Sequence, residues 1–553
     1  MLYIKILRIK NEDHKQLIIK PMKYLKILIC FLGIAVLNSC EGFLDKQPLD
    51  QLSQNTFFKN KQDIEQGLTS TYLRYRSQVI GGMGAGNGSS MDLEALSDNA
   101  YSSSGFQSLQ NIAQGGMTAS TGGAVTTMWN DAWQGVAYCN FFLDNLEREE
   151  VKKLLSEADY KQFKGEALFN RCYFYFLLIQ QYGDIPLVLN AVTADMPYMN
   201  LPRDPVSKIV SQLLSDMDLA IEGLPLKAYT TGHAVKGSAI LLKTRILMYD
   251  KKYAEAASTA YSLIGDAKNP HKLSDDYAGI FFGNQINNPE IMFSVWYSSP
   301  DDMHQFDQYT GSRMSCYPLF DLVKAYEEKS PGVKDPRLGM TIFMVGDPWE
   351  MYNGTSTKTF QYTTWNTETG KQDKILDPTI YTYSTKQFPP RDGSPRTSEG
   401  NIPVSSLAWK KGVNKSLVQA RDKISAQHRV LMRYADLLLL YAEAMFEAGQ
   451  GNDPRALKAL NDVRKRKGVE MPAKTELTRE IIRNERRVEL AYEGVRYYDI
   501  KRWDIAKDVI PMKIPNPMLS KPIVCKWDGN LWPIPQNVMN IMLPAGWENN
   551  SPY

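Results

Sequence analysis

Residues 480–503 read EIIRNERRVELAYEGVRYYDIKRW, and their charges fall among the apolar positions of a helix instead of opposite them. At about 100° per residue, Ile481, Glu485, Val488 and Tyr492 share one stripe, and Ile482, Arg486, Glu489 and Glu493 share the next. Arg486 can reach Glu489 at i+3, with Arg483 and Arg487 flanking the same face. Gly494 supplies the left-handed residue that ends a helix, and residues 496–503 begin another. Such a cluster is either an anion-binding or catalytic site, or a buried, mutually satisfied ion-pair network that fixes how C-terminal helices dock. No Cys, His or Gly-rich loop accompanies it, so the network is the expectation.

The N-terminus sets the compartment. Residues 1–21 carry scattered charges, whereas Met22 is followed by Lys23 and Lys26, an apolar run over 27–37, and then Leu37-Asn38-Ser39-Cys40. This is a secretory signal, with Met22 as the expected start and Cys40 as a lipidated first mature residue. The apolar run is far shorter than the roughly 20 residues of a spanning helix. About 510 residues follow, enough for two or three domains or one large repeat-built one. The later cysteines, Cys139, Cys172, Cys316 and Cys525, lack metal-ligand spacing, and their redox state stays open. A net charge of +3 gives no nucleic-acid footprint.

Helical spacing runs through 60–75, 129–146, 160–182, 204–224 and 235–264, and again through 433–448 and 454–467. In 160–182, Phe169, Cys172, Tyr173, Phe176, Ile179 and Gln180 mark a packed face; Arg171 among them reads as structural. The break at 250–252, followed by small residues over 253–257, is the pattern of a tetratricopeptide-like helix pair, and 433–467 gives another. Between 283 and 420 the helical period fails, and Gly, Pro, Thr and aromatics dominate. The expected fold is therefore mainly α: a tetratricopeptide-like helical repeat scaffold with long irregular loop excursions and a few short strands. Residues 1–39 form the leader. Residues 40–553 form one domain, with helical parts over about 40–282 and 421–553 and a ligand-binding excursion over about 283–420.

Several blocks carry a family likeness. NERRVELAYEGVRYYDIKRW closely resembles the C-terminal signature of the SusD/RagB family of outer-membrane nutrient-binding lipoproteins. The mature start CEGFLDKQPLD, Asp335-Pro336-Arg337-Leu338 and the terminal LWPIPQ resemble family blocks too, and the lipobox, GEALFNRCYFYFLLIQQYGDIPLV, residues 433–444 and the 485–503 block follow in the family's order. The resemblance implies a non-catalytic cell-surface lipoprotein of the outer membrane. It would capture oligo- or polysaccharide and deliver it to a SusC-like TonB-dependent transporter. It also leaves open a peptide-binding member of the same architecture. These are scaffold motifs, so they transfer a job without a site.

Two patches are candidate ligand contacts. Asp98, Asn99 and Tyr101 lie in a polar loop between Gly-rich arms, where Asp98 and Asn99 could equally cap a turn. Trp296, Tyr297, Trp349, Tyr352 and Trp365 form the second, because aromatic rings suit the apolar faces of sugars. Arg313 and Cys316, in SRMSCYP, are weaker candidates. No GxSxG, HExxH, GxxxxGK[ST] or GxGxxG is present, and the five histidines are scattered. No cofactor or metal site is expected; a structural Ca²⁺ is possible but nothing indicates one. A surface glycosidase would require two carboxylates facing each other across a cleft.

Overall fold

Ser156 accepts a hydrogen bond from the Asp159 amide and starts the longest helix, Glu157–Tyr182. The computed structural model describes residues 58–82, 90–102, 106–192, 198–283, 285–304, 306–307, 316–343, 348–350, 357–359, 362–366, 371–375, 407–414, 425–514 and 523–553. The helices that matter here are α1 (Lys61–Ser70), α2 (Ala124–Leu146), α3 (Glu157–Tyr182), α4 (Val206–Gly223), α5 (Lys236–Tyr249) and α6 (Tyr253–Ile264). They are followed by α7 (Pro336–Thr341), α8 (Tyr434–Met445), α9 (Pro454–Lys465), α10 (Arg479–Glu489) and α11 (Arg496–Arg502).

Helix α2 packs on α3, α3 on α4, α4 on α5, α5 on α6, α6 on α8 and α8 on α9. That continuous side-by-side array is the expected tetratricopeptide-like scaffold. At Gly135 on α2, an added Cβ would lie 2.5 Å from the Phe174 ring, so only glycine permits the approach to α3. The expected single packed face of α3 is an underestimate. From Phe163 to Tyr182 nearly every side chain is buried, because α2 and α4 flank the helix on both sides. Arg171 is structural, donating to Asp216 at 2.6 Å inside the scaffold.

Strands β1 (Ile291–Val295) and β2 (Arg429–Arg433) pair antiparallel, and β2 runs directly into α8. Residues 283–420 hold short strand pairs, as expected, together with α7 and a further short helix, Phe320–Ala325. Among the described residues no helix is long and apolar enough to cross a membrane. Cys139, Cys172, Cys316 and Cys525 are buried thiols with no disulfide among them.

The charge cluster of 480–503 is a buried ion-pair network. Glu489 accepts from Arg337 at 2.7 Å, Arg433 at 2.7 Å and Arg466 at 2.6 Å. Arg433 also forks onto Glu493, both bonds 2.7 Å, and reaches Glu290 at 2.7 Å. Glu485 takes Arg337 and Arg464, and Lys411 donates to Glu493 at 2.5 Å. The expected Arg486–Glu489 contact is not made: Arg486 donates instead to Asp436 at 2.9 Å and Asp499 at 3.0 Å. Glu489 already has three guanidinium partners, while Asp436 and Asp499 lie on the two helices that Arg486 joins. Helix α10 ends at Glu489, earlier than expected; Tyr492 and Gly494 both adopt positive φ.

Burial alone would raise the Glu489 carboxyl. Arg466, Arg433 and Arg337 outweigh that and hold it far below the usual carboxylate range. Asp436 is likewise pushed up by burial but brought down to about 2 by Arg245 and Arg486. Both groups have folded pKa values below their unfolded ones, so their stabilisation is complete above roughly pH 4–5 and declines as pH falls toward 2. Urea midpoints measured from pH 7 down to 3 therefore fall on the acid side. Replacing Glu489 with Gln removes the one carboxylate that three buried guanidiniums share, leaving each only its other partners, and is expected to cost about 3–5 kcal/mol in equilibrium unfolding. Replacing Lys458, whose pair with Asp462 is exposed, should leave the midpoint unchanged.

A candidate ligand cleft

The register of β1 and β2 sets one wall of a surface cleft. Arg429 faces Val295 across the antiparallel pair, so the next residues outward, His428 and Trp296, fall opposite each other. Their rings stack with centroids 4.5 Å apart and planes 25° apart. Tyr229 meets the indole edge-on and donates its hydroxyl to the Ser294 carbonyl at 2.7 Å.

The opposite wall comes from the end of α1 and the 3-10 turn Leu73–Arg76, and the floor from the loop preceding α5. Together with the ends of β1 they enclose about 250 Å³, with Leu73, Arg76, Thr231, His233 and Trp296 among the lining residues. Asn60 starts α1 by accepting from the Asp63 amide at 3.0 Å, which fixes where its far end delivers Tyr72.

Two charged pairs hold the cleft. Arg76 donates one guanidinium nitrogen to Asp302 at 2.5 Å and the other to the Trp296 carbonyl at 2.6 Å, while lying 5.0 Å over the Tyr297 ring. At the floor, Glu166 is fully buried on α3. Its Oε2 accepts from the Tyr72 hydroxyl at 2.6 Å and sits 2.7 Å from His233 Nδ1, while its Oε1 accepts from Gln162 at 2.9 Å. The His233 side chain is 42% exposed. The hydrogen bond to Glu166 raises the His233 pKa against the opposing effect of burial.

Of the sequence candidates, Trp296 lines this cleft and Tyr297 lies buried beside it under Arg76. The Asp98–Tyr101 group is elsewhere, and it is interior. Asp98 accepts a two-pronged bond from Arg496, both arms 2.8 Å, and Arg487 donates to the Asn99 side chain at 2.7 Å. Asn99 also donates to Glu94 at 2.7 Å. Tyr101 is 1% exposed and accepts from Gln114. Their polar atoms are spent joining the N-terminal half to α10 and α11, which replaces the expected surface patch with an internal joint. Cys316 is buried next to the strand Tyr317–Pro318, which pairs with Ala100–Tyr101. In backbone register, Trp349 is paired with Lys358 in one short strand pair and Trp365 with Gln372 in another. Arg313, Tyr352 and Cys40 lie outside the described residues.

Sequence reasoning missed Arg76, His233, Glu166 and His428. For Glu166 a signal existed: an acid on the helix that carries the packed Phe169–Ile179 face needs a partner wherever that helix is buried. Arg76, His233 and His428 left none, since only the tertiary fold brings them to Trp296.

The SusD family model matches residues 299–550, and a second, described as starch-binding associating with outer membrane, matches 42–247. Two SusD-like proteins of Formosa agariphila are 26% and 24% identical, each over 88% of this chain and over 93% and 92% of their own lengths. Among solved structures, a SusD-like carbohydrate binding protein from Bacteroides fragilis matches with a TM-score of 0.72 at 24% identity, covering 88% of this chain and 99% of that one. A laminarin binding SusD-like protein matches with a TM-score of 0.65 at 20% identity, covering 90% and 100%. The two family matches occupy complementary parts of the sequence, and the helical array and C-terminal signature agree with them: the chain belongs to the SusD/RagB family.

Proposed function

We propose that the protein is a non-catalytic, lipid-anchored surface receptor that captures oligo- or polysaccharide in the Trp296 cleft and passes it to a SusC-like TonB-dependent transporter. The observation that carries this reading is the cleft: a cross-strand Trp296–His428 stack beside exposed polar groups, held by internally paired charges. Half-buried indole with nearby hydroxyls and hydrogen-bond donors suits a sugar ring, which is apolar on its faces and polar at its rim. The carbohydrate-binding description of the Bacteroides fragilis relative and the laminarin-binding one support the ligand class. Binding of single sugars in so open a site is weak, and a polymer gains by repeated engagement.

The non-catalytic part of the reading is supported by how the nearby carboxylates are used. Glu166 is buried under Tyr72 and His233, and Asp302 is held by Arg76. A glycosidase pair needs one carboxyl to protonate a leaving group and another to attack or activate water. The anchor reading rests on Cys40 and the short apolar run before it.

Affinity electrophoresis of the soluble chain in gels containing polysaccharides tests the ligand class. Replacing Trp296 with Ala should weaken retention roughly tenfold, in the range of about 1–3 kcal/mol that one aromatic contact supplies, in a variant shown by circular dichroism to be folded at the assay temperature. Binding of peptides and of no polysaccharide would move the protein to the peptide-binding reading, and shortening of the polymer would make it an enzyme. For the anchor, Cys40→Ala should release the protein from the membrane fraction; a variant that stays bound contradicts lipidation.

A further inference from the structure

We infer that the cleft is built for an uncharged glycan and discriminates against uronic or sulfated polymers, an inference that rests on the glycan-binding reading and narrows its ligand. The geometry behind it is that each charge at the cleft is matched by an opposite one. Arg76 is paired with Asp302 at 2.5 Å, and His233 with Glu166 at 2.7 Å. Lys227 and Glu65, both exposed, act on His233 from outside the cleft lining in opposite senses. The two charged pairs at the cleft are thus each balanced while His233 is protonated.

An acidic sugar is recognised by a guanidinium that offers both terminal nitrogens in a fork. Arg76 does not have that fork to give. One terminal nitrogen is held by the Asp302 carboxylate, and the other is shared between that carboxylate and the Trp296 carbonyl. An incoming carboxylate or sulfate would have to displace Asp302 and then sit beside it as a like charge. His233 offers no better anchor, since its charge is neutralised from below by a carboxylate that is itself buried. As pH rises and His233 loses its proton, the balance turns negative and disfavours anions further. What the cleft leaves for a ligand among the described residues, beyond its paired charges, is uncharged: the half-buried indole of Trp296, the exposed Leu73, the hydroxyl of the exposed Thr231, and the Thr69 hydroxyl as an acceptor while it donates to the Glu65 carbonyl. Those groups suit hydroxyl rims and apolar ring faces.

The test compares matched backbones. The soluble chain is run in affinity gels and by calorimetry against a neutral β-glucan, a xylan and a galactomannan, and against carboxymethylated or sulfated forms of the same polymers. The expected result is binding to a neutral polymer, with a Kd that changes less than about twofold between roughly 20 and 300 mM NaCl. Its charged form should bind at least about tenfold more weakly at low salt. Asp302→Asn, at a surface pair whose loss the fold tolerates, frees the Arg76 fork and should strengthen binding of the charged form by at least about threefold. Binding confined to charged polymers, weakening steeply with salt, overturns the class assignment while leaving the glycan reading intact. An Asp302→Asn variant with unaltered preference overturns it as well. Binding of peptides but of no polymer defeats both.

Discussion

Glu489 is a buried carboxylate on which three guanidiniums converge, from Arg337, Arg433 and Arg466. No one of these charges could sit in the interior alone, because the cost of desolvating it exceeds what packing returns. Their joint burial therefore forces the segments around 290, 337, 411, 433, 464 and 489 into one place. The segments around 290, 337 and 411 all lie within 283–420, so the knot ties that irregular stretch to the helical scaffold at three points. Removing a partner leaves an uncompensated charge, so the knot acts as an all-or-none device for docking.

The knot reaches the cleft through the backbone. Arg433 is the last residue of β2, and Glu290 immediately precedes β1; their contact at 2.7 Å fixes the two strands against each other at one end. At the other end the same register sets His428 against Trp296. Electrostatics at Glu489 thus determine where an indole is presented to solvent. On the other wall Glu166 does the same on a smaller scale, holding Tyr72 of the turn after α1 and His233 of the loop before α5 to a single point on α3.

Much of this architecture was legible in the sequence, for reasons that differ from part to part. The helical array follows from local periodicity and from small residues at helix contacts, which are properties of short windows. That the 480–503 charges are buried follows from their lying on apolar stripes. Which charges pair does not follow, because the partners of Arg486 and Asp98 come from helices and loops far away in the chain. A one-dimensional reading offered Arg486 a neighbour at i+3 and gave Asp98 a turn or a ligand. The fold gave both a better-formed fork. Of the two candidate patches, Trp296 lines the described cleft, and its only mark in the sequence is that it is an aromatic residue in an irregular stretch. Its companions Arg76, His233 and His428 carry no local signature of their role, since each depends on strand register or on a distant buried acid.

The buried charge knot and the ligand-facing cleft are separate parts of the molecule, and hydrogen–deuterium exchange with and without a bound oligosaccharide examines that separation directly. Amides of α8 and α10, which carry and surround the knot, should exchange most slowly and be unaffected by ligand. Amides around residues 69–76, 229–233 and 295–302 should become protected when it binds. Ligand-dependent protection at residues 485–499 with none around Trp296 would contradict the account, returning the charge cluster to the role of binding site and leaving the cleft without one.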